Sequence, residues 1–165
     1  MKQDRRQRED TLLPAMDDAK WMREALIEAR QAASLGEVPV GAVVVRDGEI
    51  IGRGHNRREI DGDPLAHAEI IAIRQAAEAV GNWRLTECSL YVTLEPCPMC
   101  AGALVNSRVE RLVFGTRDPK AGYCGSLGNL VADARLNHRL EWTEGVLAEE
   151  CSQELRRFFG ELRQG

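Results

Sequence analysis

The chain has 165 residues, of which 44% are hydrophobic and 29% are charged, and its formal net charge is -4 at pH 7. This composition is typical of one globular domain with an ordinary core, and it excludes a general electrostatic attraction to nucleic acid. The five cysteines are an odd number, and no apolar run is long enough for a signal peptide or a membrane span. We therefore expect a cytoplasmic protein in which a Cys-x-x-Cys pair serves a metal or redox site rather than a disulfide.

The N-terminal third predicts a helix followed by a β-hairpin. Residues 1–16 begin with charged and amide side chains that bury no apolar area, so we expect a disordered arm there and a single domain over residues 17–165. At the start of that domain, apolar residues three and four apart predict a helix that stops at Gly36. A strand over residues 38–45, an Asp-Gly turn and a returning strand complete the hairpin.

Two more helices are predicted in the centre of the chain. Asp63-Pro64 is typical of an N-cap followed by proline at the first helical position, and it predicts a helix that ends at Gly81. The β-rich run over residues 89–94 predicts a strand, and Pro96 ends it. A helix of small side chains is then expected over residues 97–106.

The last third continues the alternation of strands and helices. It predicts a strand over residues 111–115, a long polar loop over 116–129, a strand over 140–145 and a closing helix over 148–162. The whole pattern predicts an α/β fold whose sheet carries helices on both faces.

A split motif, His67-Ala68-Glu69 and then Pro96-Cys97-Pro98-Met99-Cys100, carries the chemistry. One imidazole and two thiolates, from His67, Cys97 and Cys100, are three of the four ligands of a tetrahedral zinc, which leaves the fourth position for water. The cysteines lie on one helical turn, where the positive end of the helix dipole favours thiolates. Because side chains two apart in a helix point apart, His67 and Glu69 can share a site only beyond the helix end. We therefore predict two helix starts that face one metal.

This arrangement predicts hydrolytic deamination. Zinc lowers the pKa of bound water from 15.7 to about 7, so hydroxide is available at neutral pH, and Glu69 can accept and redeliver the proton. The hydroxide would attack an amidine-like ring carbon, and the exocyclic amine would leave as ammonia. The H-x-E and P-C-x-x-C pattern is already known as the signature of zinc-dependent nucleobase deaminases.

Other interpretations of the motif remain open. A thioredoxin-like dithiol would use Cys-x-x-Cys without the upstream His-x-Glu. A structural zinc would need a fourth protein ligand, for which the sequence offers His55, His138, Cys88 and Cys124. The ligand set would also accept a borderline metal other than zinc.

Several segments together resemble the family of bacterial tRNA-specific adenosine deaminases. They are residues 37–42 (EVPVGA), 67–69 (HAE), 94–103 (LEPCPMCAGA), 125–127 (GSL) and 137–139 (NHR). The zinc motif alone identifies only the wider cytidine deaminase-like superfamily, and the other segments carry the narrower resemblance. The resemblance implies a three-layer α/β/α sandwich around a five-stranded mixed sheet.

The resemblance also implies a substrate and the residues that bind it. Adenosine at the wobble position of a tRNA anticodon would become inosine by attack at adenine C6, in a homodimer with one Zn2+ per subunit and no organic cofactor. Asn56 resembles the asparagine that hydrogen-bonds the flipped base, and Val40 resembles part of the apolar wall beside the purine. The main-chain groups around Pro96 and Cys97 are expected to meet the leaving amine. Asp118 lies in a segment similar to one that contacts the RNA backbone in the anticodon arm.

Some features leave the substrate open. Asn56 is also typical of a turn after a strand. Tyr123, Cys124 and Gly128 depart from the family's usual residues, in a loop that could touch the substrate or the partner subunit. The alternative functions are a small-molecule deaminase of guanine or cytosine compounds and a non-catalytic, zinc-stabilised RNA-binding module. For RNA, the candidate basic side chains are those of Arg108, Arg111, Arg117, Lys120, Arg139, Arg156, Arg157 and Arg163.

Overall fold

A computed structural model describes the backbone of residues 2–164 and the side chains of residues 17–164. The helices in this range are α1 (Lys2–Ser34), α2 (Ala68–Val80), α3 (Pro98–Asn106) and α4 (Ala148–Gln164). The strands are β1 (Gly41–Arg46), β2 (Glu49–His55), β3 (Ser89–Leu94), β4 (Arg111–Thr116) and β5 (Glu141–Glu144). None of the described helices is both long and apolar enough to cross a membrane.

The strands form one mixed sheet in the order β2-β1-β3-β4-β5. β1 is antiparallel to both of its neighbours, whereas β3, β4 and β5 are parallel. The crossover from β3 to the parallel β4 is made by α3, as parallel neighbours require. Because Leu94 pairs with Thr116, β3 and β4 end at the same edge of the sheet. The start of α3 and the loop after β4 therefore lie side by side at that edge.

The alternation of side chains along β1 divides the core into two layers. Ala42 and Val44 point to one face of the sheet, where they join a buried cluster with residues of α2 and α3. Val43 and Val45 point to the other face and join residues of α1 and α4. The predicted α/β/α sandwich with a five-stranded mixed sheet is confirmed.

Two glycines let α2 approach the sheet at backbone distance. A Cβ atom at Gly54 would overlap the carbonyl of Ala68, and one at Gly52 would overlap the carbonyl of Ala72. Since Ala68 is the first residue of α2, this contact places the helix start directly over the end of β2.

One predicted helix start is wrong. Asp63-Pro64 does not begin α2, because the Asp63 carboxylate accepts a hydrogen bond from the N–H of Leu65 at 2.8 Å and forms a local turn. Helix α2 begins at Ala68, and its N-cap is His67.

The end of α1 agrees with its prediction, and the N-terminal arm stays a prediction. The helix ends at Ser34, and Gly36 follows with a φ of 80°, which is typical of a residue just past a helix end. The backbone of α1 runs from Lys2. The disordered arm expected over residues 1–16 concerns a segment whose side chains, together with all of Met1, lie outside the described part.

Candidate metal centre and active site

Two helix N-termini converge at the sheet edge where β3 and β4 end. His67 is the N-cap of α2, with φ -81° and ψ 152°, and Cys97 is the N-cap of α3, with φ -72° and ψ 175°. Neither side chain forms a capping hydrogen bond with its own helix, so both are available to bind a metal ion. Cys100 is the third residue of α3, within its first turn, and is fully buried. The structure thus brings together the two helix starts that the sequence predicted to face one metal.

The three predicted ligands have the spacing of a tetrahedral metal site. Nδ1 of His67 lies 3.6 Å from Sγ of Cys97 and 3.5 Å from Sγ of Cys100, and the three atoms all lie within 4.8 Å of one another. With metal–sulfur bonds of about 2.3 Å and a metal–nitrogen bond of about 2.0 Å at the tetrahedral angle, a nitrogen and a sulfur would be about 3.5 Å apart. A single ion of zinc size therefore fits between them.

The other proposed metal ligands do not join this cluster. Within residues 17–164, the metal-binding group consists of His67, Cys97 and Cys100 alone. The ring of His55 contacts the carboxylate of Glu28 at 2.9 Å, and Nε2 of His138 donates to the carbonyl of Val109 at 2.7 Å. The described side chains thus offer three ligands and leave one position of a tetrahedral ion open, as a catalytic site needs.

The two thiols of this site differ in their tendency to ionise, and Cys97 is the one that favours the thiolate. The Cys100 thiol is the main hydrogen-bond donor to Cys97, and together with His67 it lowers the pKa of Cys97 to about 4 against the opposing effect of burial. The hydrogen bond to Cys97 also raises the pKa of His67. The hydrogen bond that Cys100 donates to Cys97, followed by burial and neighbouring negative charge, raises the pKa of Cys100, so a cation between the sulfurs would be needed for both to become thiolates.

Glu69 stands beside the ligands as predicted. It is the second residue of α2, only 4% of its surface is exposed, and it lines the same pocket as His67 and Cys97. Burial raises the pKa of this carboxyl group above its usual range. A carboxyl group in this place can hold a proton next to the metal position.

The three candidate ligands, His67, Cys97 and Cys100, lie at a pocket of about 200 Å³. Its apolar side is formed by Val38 and Val40, which precede β1, and Asn56 follows β2 on the same side. The side chain of Asn56 donates to the carbonyl of Val38 at 3.3 Å and accepts from the N–H of Arg58 at 3.2 Å. The turn role of Asn56 and its place in the pocket are therefore both observed. The remaining lining residues are Arg58, His67, Ala68, Glu69, Leu94, Glu95, Cys97, Asp118 and Ala121.

Another part of the pocket wall comes from the loop after β4. Asp118 lines the pocket, and its carboxylate accepts hydrogen bonds from the N–H groups of Lys120 and Ala121 at 3.0 and 3.2 Å. Pro96 is not among the lining residues, and its carbonyl accepts a hydrogen bond from the N–H of Tyr123 at 2.8 Å. The structure thus brings Val40, Asn56 and Asp118 into one pocket, whereas Pro96 does not line it.

Glu95 is a residue of this site that sequence reasoning missed. It is 2% exposed, and its carboxylate accepts hydrogen bonds from Asp118, Cys124 and Ser126 of the same loop. Burial would raise the pKa of Glu95, but these hydrogen bonds outweigh it and lower the pKa. An acidic residue directly before Pro-Cys was the available signal, but its partners lie far along the sequence.

Four members of the predicted basic set, Arg111, Arg117, Arg156 and Arg157, are already paired with acidic side chains within the chain. Arg111 makes a bidentate ion pair with the buried Asp18 at 2.7 and 2.6 Å. Arg117 binds Glu144 with its Nε and one terminal nitrogen, at 3.0 and 2.8 Å. The positive charge available to an RNA backbone is therefore smaller than the count of arginines predicts.

Comparison with known proteins identifies deaminases as relatives of this chain, which agrees with the chemistry expected of the site. The family model described as MafB19-like deaminase matches residues 16–163. The tRNA-specific adenosine deaminase of Bacillus subtilis (strain 168) is 55% identical over 147 residues, which are 89% of this chain and 91% of that protein. A solved structure of a tRNA:A34 deaminase, studied for A-to-I editing at the wobble position of transfer RNA, is 43% identical with a TM-score of 0.80. That comparison covers 82% of this chain and 99% of the other.

A more distant structural relative acts on a free base. The guanine deaminase of Nitrosomonas europaea is 26% identical, with a TM-score of 0.75 over 86% of this chain and 84% of its own. The identity to the two tRNA deaminases, 55% and 43%, is clearly higher than this value. This chain belongs to the MafB19-like deaminases and, within them, to the family of bacterial tRNA-specific adenosine deaminases.

Proposed function

We propose that this protein is a zinc-dependent enzyme that deaminates adenosine to inosine at the wobble position of a tRNA anticodon. The observation that carries the proposal is the metal cluster of His67, Cys97 and Cys100 at the base of a pocket that also contains the buried Glu69. The relatives named for this activity cover most of the chain and narrow the substrate class.

The metal site and Glu69 divide the chemistry between them. His67 would bind zinc through Nδ1, and Cys97 and Cys100 would bind it as thiolates, which fits one ion per subunit. Zinc in this site supplies an activated water at neutral pH for attack on adenine C6. Glu69 would accept one proton of the attacking water and transfer it to a nitrogen of the purine ring. It would then take the remaining proton from the same oxygen and deliver it to the amine, which leaves as ammonia. Its burial keeps this carboxyl group away from competing bulk water.

The pocket walls orient the base. A wobble nucleotide must leave the anticodon stack before its C6 can reach a buried metal, and a flipped base is held by apolar contact and hydrogen bonds. Val40 offers the apolar surface, and the Asn56 amide has hydrogen-bonding capacity beyond its two contacts within the chain. We place Asp118 near the RNA backbone, and the main chain at Cys97, which lines the pocket, near the leaving amine.

The assembly and location follow from the same assignment. We propose a homodimer that binds the anticodon arm of tRNA with both subunits, in which residues 17–165 form the catalytic domain. A tRNA substrate also implies a cytoplasmic location. Sedimentation of the purified protein would test the dimer, since a monomer at working concentration would contradict it.

The direct test is inosine formation in a defined tRNA. The zinc-loaded protein is incubated with a transcript that carries adenosine at the wobble position, and sequencing should show that adenosine change to inosine. The same transcript with the adenosine moved to the next anticodon position is the control and should stay unmodified. Ammonia release from free guanine or cytidine, without any change in the tRNA, would assign the chain to the small-molecule deaminases instead. An absence of turnover with every substrate would favour a non-catalytic RNA-binding module.

A further inference from the structure

Glu95 is placed to control the part of the pocket wall that the loop after β4 forms. It follows β3 directly and precedes the metal-binding Cys97 by two residues. Its Oε1 accepts from the N–H of Asp118 at 3.1 Å and from the Ser126 hydroxyl, and its Oε2 accepts from the N–H groups of Cys124 and Ser126, each at 3.0 Å. Four hydrogen bonds thus join one carboxylate to a nine-residue segment, which we call the wall loop (residues 118–126).

The wall loop is folded closely around this carboxylate. A Cβ atom at Gly122 would overlap both carboxylate oxygens of Glu95, so the loop backbone passes against the side chain. The N–H of Tyr123 adds a bond of 2.8 Å to the carbonyl of Pro96, next to Glu95. The wall loop is therefore attached to the same short turn that presents Cys97 to the metal.

The hydrogen-bond partners of Glu95 indicate that its carboxylate holds the wall loop in place. They are three backbone N–H groups and one hydroxyl, all within the wall loop, and two residues of this loop, Asp118 and Ala121, line the pocket. With four donors on its two oxygens, the carboxylate is engaged by the protein rather than presented to a ligand. Since four of the hydrogen bonds that hold this loop end on one carboxylate, a change of that side chain should loosen the loop.

We propose that Glu95 is a positioning residue that holds the wall loop against the metal-binding turn and so sets the width of the substrate pocket. The inference rests on the proposed function only for its kinetic consequence, since the loop contacts stand independently. It predicts that Glu95 governs how well the flipped nucleotide is held, expressed in KM, more than it governs the metal content.

The test is Glu95→Gln. This change keeps the size of the side chain but places an amide NH2 against N–H donors, so at least one side of the carboxylate contact becomes repulsive. We expect amide hydrogen exchange over residues 118–126 to accelerate about tenfold or more, and KM for the tRNA to rise by a similar factor. Zinc per chain should stay at the wild-type value. Ser126→Ala, which removes the hydroxyl donor and leaves the carboxylate, should produce a smaller change in the same two quantities.

A matched control is Asp18→Asn. Asp18 is also a buried carboxylate, 4% exposed, but its partners are Tyr91 and Arg111 on the far side of the sheet from the metal. This variant should lower the unfolding midpoint while leaving KM and exchange of the wall loop unchanged.

Three results would overturn the inference. The first is unchanged loop exchange in Glu95→Gln, and the second is a loss of thermal stability with KM at the wild-type value. The third is loss of zinc from Glu95→Gln, which would assign the residue to the metal site. If the wild type fails to convert the tRNA, the proposed function fails, but loop exchange in Glu95→Gln still decides whether Glu95 holds the loop.

Discussion

The spacing of His67 and Glu69 becomes understandable at the level of single backbone dihedrals. His67 is the N-cap and has an extended backbone, whereas Glu69 is the second residue of α2. The two side chains therefore leave the chain from different local structures, and the opposition expected of residues two apart within a helix does not apply. This is why one short motif can supply both a metal ligand and an acid/base group.

Replacing Glu69 by Gln should separate proton transfer from metal binding. The amide has the same size but cannot accept or deliver the proton, so we expect kcat on the tRNA to fall about 10²- to 10⁴-fold. Zinc per chain and the unfolding midpoint should stay near the wild-type values. Metal analysis and single-turnover kinetics with the same preparation would measure both.

A buried carboxylate away from the pocket provides the control for Glu69. Glu154 is 6% exposed and binds Arg30 at 2.8 Å, on the face of the sheet covered by α1 and α4. Glu154→Gln should leave kcat unchanged. If Glu69→Gln kept turnover within a few-fold of the wild type, Glu69 would not be the proton carrier.

At the residue scale, the candidate metal ligands could be predicted from the sequence, whereas the residue that positions the pocket loop could not. His67, Cys97 and Cys100 were predictable because their residue types and spacing are themselves the signal of a metal site. Glu95 was not, since its function depends on N–H groups 23 to 31 residues further along the chain. Backbone donors leave no trace in residue type, so a positioning residue of this kind becomes visible only in the folded structure.

The elements show the same division between local and distant information. The strand predicted over residues 89–94 matches β3 from Ser89 to Leu94, because β-branched and aromatic residues there are also bounded by Pro96. The start of α2 was wrong because the strong signal at Asp63-Pro64 forms a separate turn. What fixes the start of α2 is its packing over Gly54, a contact between distant segments.

Tyr123 and Gly128, two departures from the family pattern, form one packing unit in the loop after β4. A Cβ atom at Gly128 would lie 2.5 Å from Cζ and 2.7 Å from Cε1 of the Tyr123 ring. The tyrosine ring therefore occupies the space that a side chain at position 128 would need. Gly128→Ala should destabilise the protein by about 1–3 kcal/mol, because the ring must be displaced.

A double-mutant cycle tests this packing. In Tyr123→Ala with Gly128→Ala, the added methyl group no longer meets the ring, so the double variant should be more stable than the sum of the single changes by about 1 kcal/mol. Gly160→Ala is the matched control, since Gly160 lies in α4 with nothing within 4 Å of the added Cβ, and it should stabilise the helix by roughly 0.5–1 kcal/mol. Urea unfolding measures all four variants, and strictly additive effects would contradict the proposed contact.

For the whole molecule, a metal in this site would add a link between two helices that already share one buried cluster. Helices α2 and α3 both pack on one face of the sheet, and their N-termini meet through His67, Cys97 and Cys100. The two apolar layers do not depend on this link, because each has its own buried cluster. We therefore expect the metal to stabilise a fold that already exists, in contrast to small zinc domains that are unfolded without metal.

Removal of the metal should consequently lower the thermal midpoint without abolishing the fold. At a free zinc concentration about 1,000 times its Kd, binding stabilises the folded state by about 4 kcal/mol. For a domain of this size, that corresponds to a Tm decrease of about 10 °C on chelation, and added zinc should restore the Tm.

Two cysteine variants test whether this response comes from the predicted site. Cys97→Ala should have a low Tm that no longer responds to the chelator. Cys151→Ala, a buried cysteine of α4 outside the cluster, should be destabilised and yet keep the full response. A wild-type Tm that ignores the chelator, or a response that survives in Cys97→Ala, would show that these helix starts are not held together by a metal.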